Sequence, residues 1–138
     1  MARLLGIDWG KKRTGIAVTD NLQIIAHPLE TVNTNILMLF LDNYLNQEDV
    51  EGVVIGHPKK RDETDADIFP EIKKFSEKLQ KKFPKIKIIF WDERNTSKQA
   101  VETMIKAGMK KKTRREKGNI DKIAASIILQ DYLSSIQP

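Results

Sequence analysis

The sequence predicts an α/β fold with a mixed five-stranded sheet flanked by helices. Three apolar runs near the start are separated only by turns, which is typical of an antiparallel meander. Further apolar runs then alternate with amphipathic segments, and this alternation is typical of parallel strands joined by helices. The length of 138 residues fits a single domain, residues 1–138.

Five strands are predicted from the apolar runs. The first two should pair as a hairpin across a turn that contains glycine and lysine. The third should be an edge strand or contain a bulge, because Pro28 has no backbone N–H to donate. The last two are continuously apolar, as expected of strands buried on both faces. In chain order the predicted strands are Leu4–Asp8, Gly15–Thr19, Ile24–Val32, Val50–Ile55 and Ile86–Trp91.

Four helices are predicted from apolar residues that repeat at three and four positions. Asn33 or Thr34 can cap the first helix, Asn95 or Thr96 the third and Asn119 the last. The second helix, Asp65–Lys82, contains Pro70, which could sit in the first turn of a helix that begins later. The other predicted helices end near Leu45, Lys106 and Ser134, and polar or basic loops span Gly56–Thr64 and Gly108–Gly118.

Composition narrows the function classes. The absence of cysteine excludes a thiolate nucleophile and a cysteine-ligated zinc site. The apolar run at the N-terminus is too short for a signal peptide, and no run approaches the ~20 residues of a membrane span. We therefore expect a soluble, cytoplasmic protein without a membrane partner.

The cations are grouped rather than dispersed. The formal net charge is +5, from 24 Lys and Arg against 19 Asp and Glu. A single basic cluster is often only a solvated surface, but three in one small chain favour a polyanionic partner such as nucleic acid. The clusters are Lys11–Arg13, Lys59–Arg61 and Lys110–Lys117.

Carboxylates stand where three predicted elements begin or end. Asp8 ends the first strand, Asp92 and Glu93 follow the last strand, and Asp121 lies in the first turn of the last helix. Sites in open α/β sheets form at the carboxyl ends of the parallel strands. We therefore expect these acids to meet at that edge.

Such a cluster favours a bound cation. Two carboxylates about 4 Å apart repel by roughly 4 kcal/mol at an effective dielectric of ~20. A ligand set made only of oxygen selects Mg²⁺ or Mn²⁺ over zinc. Paired ions of this kind support hydrolysis of phosphodiesters.

Each acid also has a simpler interpretation. Asp8 could start a turn, Asp92 could cap the following helix, and Asp121 could interact with the helix dipole. His27 and His57 each precede a proline and have no obvious partner, so we interpret both as structural or substrate-adjacent. The residues alone leave these alternatives open.

Three segments resemble one known family, in the same order along the chain. They are GIDWGKKRTGIAVTD (residues 6–20), DERNTSKQA (residues 92–100) and IDKIAASIILQDYL (residues 120–133). Together they closely resemble the YqgF family, also called RuvX or Holliday junction resolvase-like proteins, whose members are described as nucleases of precursor 16S ribosomal RNA. The resemblance covers almost the whole chain.

The resemblance implies a ribonuclease H-like fold and a set of catalytic acids. These would be Asp8, Glu93 and Asp121, with Asp8, Asp92, Glu93 and Asp121 as the candidate ligands of Mg²⁺ or Mn²⁺. Strand alternation turns one residue of the Asp92–Glu93 pair inward and the other outward. Glu93 is favoured, and Asp92 stays open as the ligand.

The resemblance and the basic clusters also suggest which residues contact nucleic acid. Gly6, Gly10 and Gly15 would let the backbone approach a phosphate. The candidate cations are Lys11, Lys12, Arg13, Arg94, Lys110, Lys111, Lys112, Arg114 and Arg115.

The chain departs from the family pattern at few positions. Asn95 stands where leucine is usual, and His57 replaces a leucine between Gly56 and Pro58. The loop Lys59–Asp67 lacks the usual Asp-Gly, which puts its part in substrate binding in doubt. No departure removes a carboxylate.

The resemblance implies hydrolysis of phosphodiester bonds, in the 5′-end maturation of precursor 16S ribosomal RNA. A Holliday junction resolvase acting on branched DNA is the first alternative, and it would require a dimer. A non-catalytic nucleic-acid-binding factor is the second. The third, a sugar-kinase or actin-like ATPase with a similar phosphate loop, would need two such domains, for which this chain is too short. We expect a monomer or weak homodimer.

Overall fold

Five strands form one sheet. The computed structural model describes residues 2–59, 66–93, 96–108 and 119–136 of the chain. The strands are β1 (Arg3–Asp8), β2 (Arg13–Thr19), β3 (Ala26–Asn33), β4 (Val50–Pro58) and β5 (Lys87–Glu93).

The order of the strands is β3-β2-β1-β4-β5, with β1 in the centre. β1 pairs antiparallel with β2, and β2 pairs antiparallel with β3. β1 pairs parallel with β4, and β4 pairs parallel with β5. The predicted mixed sheet, with three antiparallel strands followed by parallel ones, is confirmed.

The third strand begins two residues later than predicted. The Asp20 carboxylate accepts hydrogen bonds from the backbone N–H groups of Ile24 at 2.9 Å and Ile25 at 3.0 Å. These bonds satisfy the two N–H groups outside the sheet, so β3 starts at Ala26. They also hold the pKa of Asp20 below its usual value, with the bond from Ile25 contributing most.

β3 is an edge strand with a bulge, as Pro28 predicted. Ile16 of β2 pairs with Glu30, but the next residue, Ala17, pairs with Pro28. Leu29 is therefore the extra residue of the bulge.

The described helices are α1 (Leu37–Gln47), preceded by a 3₁₀ turn at Thr34–Ile36, α2 (Phe69–Lys82), α3 (Thr96–Lys106) and α4 (Asn119–Ile136). α2 begins at Phe69 rather than near Asp65, with Pro70 in its first turn, where its missing N–H costs no helical hydrogen bond. β4 and β5 each extend beyond their predicted ends. Most of the predicted loops at Gly56–Thr64 and Gly108–Gly118 lie outside the described residues.

Helices cover both faces of the sheet. On one face, Leu5, Ile7 and Ile55 pack in a cluster that includes Leu41 of α1 and Leu79 of α2. On the other face, a second cluster joins the sheet to α4 and consists of Leu4, Ala17, Val54, Ala125, Ile128, Leu129 and Leu133. Burial on both faces explains the continuously apolar sequence of β4. Among the described residues, no helix is long and apolar enough to cross a membrane.

Candidate active site

Asp8, the last residue of β1, lies on the sheet face that α4 covers. Side chains alternate along a strand, so Leu4, Gly6 and Asp8 share one face. Leu4 packs in the same apolar cluster as Leu129 of α4. The central strand therefore places Asp8 at the edge of the sheet, on the face that α4 covers.

Glu93, the last residue of β5, reaches the same face. Trp91, two residues earlier, packs against the α4 cluster, and Glu93 shares its direction. The Glu93 carboxylate lies directly over Gly56 of β4, the strand between β5 and β1. A Cβ at residue 56 would overlap that carboxylate. Glycine at this position thus lets Glu93 lie across β4.

Asp121 enters the site from the first turn of α4. Gly15 of β2 packs directly against this turn, where a Cβ would overlap the backbone carbonyl of Asp121. The Nε of Arg13 donates a hydrogen bond to Oδ2 of Asp121 at 2.9 Å. The start of α4 is therefore seated on β2, with Asp121 held by a cation.

The environment of Asp8 makes its ionised form costly. Burial raises its pKa from 3.8 to about 8, with further contributions from the negative charges of Glu93 and then Asp121. The three carboxylates therefore lie close enough to act on one another. In the described parts of the chain, no three side chains are already arranged to hold an ion. Mutual repulsion opposes closer approach, and Arg13 engages Asp121.

The structure separates the two residues of the Asp92–Glu93 pair. Asp92 pairs with His57 in the sheet register and is exposed. By alternation it shares the face of Phe90, which contacts His57 and Phe69 edge-on. Asp92 and Asp8 therefore point to opposite faces of the sheet, and the structure does not bring them together.

Three of the predicted nucleic-acid-binding cations lie at the turn between β1 and β2. Lys11, Lys12 and Arg13 are exposed, and they line a cavity of about 560 Å³ together with Asn33 and Asn35. Because Arg13 also contacts Asp121, this basic turn borders the acidic centre. The remaining predicted cations lie outside the described residues: Arg94, Lys110, Lys111, Lys112, Arg114 and Arg115.

Gly6 and Gly15 of the first motif face α4, and the predicted role of Gly10 stays a prediction. A Cβ at Gly6 would lie 2.7 Å from Cβ of Leu129 and 2.9 Å from the carbonyl oxygen of Ala125. Gly15 likewise faces the Asp121 backbone. Both permit close approach of α4 to the sheet, whereas the sequence assigned them to a phosphate.

Two threonines support the basic turn, a role that the sequence did not predict for either of them. Thr34 Oγ1 donates to the carbonyl of Gly10 at 2.5 Å and lies 2.9 Å from Thr14 Oγ1. The backbone N–H of Thr34 donates to the carbonyl of Lys12 at 2.9 Å. These hydrogen bonds hold the 3₁₀ turn against the β1–β2 turn. No local pattern signals these contacts, because the partners are at least twenty residues apart.

The fold and the acidic edge define a ribonuclease H-like protein with a carboxylate centre. RuvC of Thermus thermophilus, solved in complex with Holliday junction substrate, has the same fold, with a TM-score of 0.57. The match covers 98% of this chain and 95% of that chain. At 16% identity, this similarity concerns the fold.

Sequence comparison places the chain more closely. The model of the family described as "RuvX: Holliday junction resolvase" matches residues 2–135. A protein of Flavobacterium johnsoniae is 50% identical over 98% of this chain and 98% of its own length, and one of Christiangramia forsetii is 49% identical over 96% and 98%. Both carry the name "Putative pre-16S rRNA nuclease". The chain belongs to the RuvX family.

Proposed function

We propose that this protein is a nuclease that hydrolyses phosphodiester bonds in precursor 16S ribosomal RNA, in the cytoplasm, with Mg²⁺ or Mn²⁺ as cofactor. The observation that carries the proposal is the convergence of Asp8, Glu93 and Asp121 at one edge of the sheet beside a basic turn. The names of the relatives from Flavobacterium johnsoniae and Christiangramia forsetii supply the substrate.

The donor set fits a hard divalent cation. Asp8, Glu93 and Asp121 offer carboxylate oxygens, which Mg²⁺ and Mn²⁺ prefer. Burial, and then the negative charges of Glu93 and Asp121, raise the pKa of Asp8, so a cation bound here would stabilise its ionised form. When bound, the ion supplies Lewis acidity and lowers the pKa of the attacking water. Asp92 is left out of the proposed ligand set because it lies on the other face.

The remaining steps belong to side chains of the chain. Asp8, at the end of the central strand, would hold the cation together with Glu93 and Asp121. Arg13 neutralises Asp121 in the free protein. With Asp121 engaged as a ligand of the cation, Arg13 would be available to the phosphate beside the scissile bond, to which its guanidinium can donate two hydrogen bonds.

The first test is cleavage of precursor 16S RNA by Asp8→Asn. We expect loss of Mn²⁺-dependent cleavage, because the substitution removes the central anionic ligand but preserves shape. Asp92→Asn is the matched control: it makes the same chemical change near the end of β5, on the opposite face of the sheet, and it should keep wild-type activity. Full activity in Asp8→Asn, or equal loss in both variants, would contradict the proposed ligand set.

A Holliday junction resolvase is the second candidate function, since the family description names that activity. Both functions use the same centre, so only the substrate distinguishes them. Parallel cleavage assays with precursor 16S RNA and a four-way DNA junction decide between them. Symmetrical cuts in the junction at lower enzyme concentration than the RNA requires would favour the resolvase.

A further inference from the structure

Two cavities that share Asn35, together called the groove, extend from the β1–β2 turn beside the acidic centre to the space between α1 and α2. Its first part is the cavity lined by the basic turn, which begins at Arg13 beside Asp121. Its second part, of about 360 Å³, lies between α1 and α2 and shares Asn35 with the first. The second part is lined by Trp9, Thr34, Asn35, Leu37, Met38, Glu71, Lys74, Phe75 and Lys78.

The groove is strongly basic. Lys74 and Lys78 are one helical turn apart on α2 and both are exposed, so they extend the positive charge of the β1–β2 turn. Among the described residues that line the groove, Glu71 is the one acid, and Lys11 Nζ lies 3.9 Å from its carboxylate. The charge suits a polyanion that continues beyond the scissile bond.

Trp9 gives the second part of the groove an aromatic wall. It packs against the core cluster from the end of β1 but stays partly exposed, and its remaining surface faces the cavity. Aromatic rings bind unpaired bases by stacking, which is independent of sequence. A base inside a duplex already has its faces covered, so a duplex gains nothing from such a ring.

We propose that this groove binds an unpaired strand of the substrate next to the cleaved bond, with a base stacked on Trp9 and phosphates on Lys74 and Lys78. The identification of the polyanion as nucleic acid rests on the proposed nuclease function. The Trp9 ring together with the two lysines indicates that the bound strand is single. The acidic centre by itself does not require a single strand.

The first experiment measures stacking directly, in the presence of chelator so that no cleavage occurs. The chain has two tryptophans, so Trp91→Phe leaves Trp9 as the only reporter. We expect Trp9 fluorescence to be quenched by an RNA hairpin with a single-stranded extension of about ten nucleotides, and not by the same hairpin without it. Equal quenching by both RNAs, or none by either, would overturn the proposal.

Trp9 variants then test the contribution to affinity. Trp9→Leu should weaken binding of the extended hairpin by about 5- to 150-fold, the range that stacking of one base supports. Trp9→Phe keeps a ring and should retain most of the affinity, while thermal melting confirms that both variants fold. If Trp9→Leu binds as wild type, or if Trp9→Phe loses as much, the stacking role is wrong.

A pair of lysine variants tests the path of the strand. Lys74→Ala with Lys78→Ala should lower the slope of log affinity against log salt by about 1.4, from about 0.7 per phosphate of a single strand. Lys73→Ala with Lys81→Ala is the matched control, because it removes the same charge from the same helix outside the groove. An equal change of the salt slope in both double variants would mean that only net charge matters, and it would contradict the proposed path of the strand.

These outcomes are separate from those of the cleavage assay. If the protein never cleaves RNA but shows extension-dependent quenching, the proposed groove stands and the proposed nuclease function is wrong. If the protein cleaves RNA normally but its Trp9 fluorescence does not respond, the nuclease function stands and the proposed groove is wrong.

Discussion

Ionised Asp8 is unfavourable in the free protein because it is buried beside two other negative charges. Its pKa of about 8 means that the folded state keeps a proton which the unfolded chain releases near pH 4. Stability contributed by the protonated carboxyl is therefore present at acid pH and lost as the pH rises toward 8. Packing alone does not account for an acid at this position, and a bound cation would offset the cost of its ionised form.

This cost predicts that Asp8→Asn stabilises the metal-free protein at neutral pH. A rise of the pKa from 3.8 to about 8 corresponds to roughly 5–6 kcal/mol at ~1.4 kcal/mol per unit for a fully buried group. Because Asp8 is partly exposed and solvent screens its charge, we expect the uncharged variant to be about 1–3 kcal/mol more stable than wild type at pH 8. The gain should vanish near pH 4. Thermal melts in chelator across this range measure it, and a gain that is independent of pH would rule out the ionisation of Asp8 as its cause.

The choice between Asp92 and Glu93 shows where sequence reasoning stops. Alternation fixes that the two residues face opposite sides, but helices cover both faces of this sheet, so the pattern does not say which face holds the site. The position of Trp91 in the α4 cluster settles the directions. That contact joins residues about forty positions apart and leaves no local signal.

At the scale of elements, the seating of α4 on the sheet positions Asp121. Gly6, Gly15 and Gly56 together leave room for this helix and for Glu93. The sequence predicted α4 and the acid in its first turn. It could not predict that these glycines face the helix, because the contacts join the first sixty residues to the last twenty.

Gly15→Ala should therefore displace the start of α4. The new Cβ would overlap the backbone of Asp121, and we expect a loss of about 2–3 kcal/mol, as for overpacked cores. Gly52→Ala is the control: its Cβ would lie 3.0 Å from Leu4 Cδ2, the end of a flexible side chain, so its cost should be smaller. Chemical denaturation measures both, and equal stability of Gly15→Ala and wild type would contradict the close packing.

The mixed pairing of the sheet followed from three adjacent apolar runs and from the later alternation of apolar runs with helices. The ends of the strands and helices did not follow from these patterns, because individual side chains set them. Asp20 binds the N–H groups that would have started β3 earlier, and Pro70 shifts the start of α2. Side-chain hydrogen bonds of this kind compete with the ladder and are weak signals in a sequence.

At the scale of the whole molecule, the basic surface should make nucleic-acid binding depend on salt. If six cations contact a duplex, log affinity should fall with log salt at a slope near −5, from about −0.9 per phosphate. Lys110→Ala, Lys111→Ala and Lys112→Ala, combined in one variant, should flatten that slope by about 2.7. Filter binding at several salt concentrations measures the slope. An unchanged slope would mean that this cluster contributes only to solubility.

That residues 1–138 form one domain stays a prediction.

The central claim is that Asp8, Glu93 and Asp121 hold a divalent cation. The most direct measurement is Mn²⁺ binding followed by electron paramagnetic resonance, which reports free ion and needs no substrate. We predict that wild type and Asp92→Asn bind Mn²⁺ alike, while Asp8→Asn and Glu93→Gln bind at least tenfold more weakly. Undiminished Mn²⁺ binding by Asp8→Asn would contradict the account.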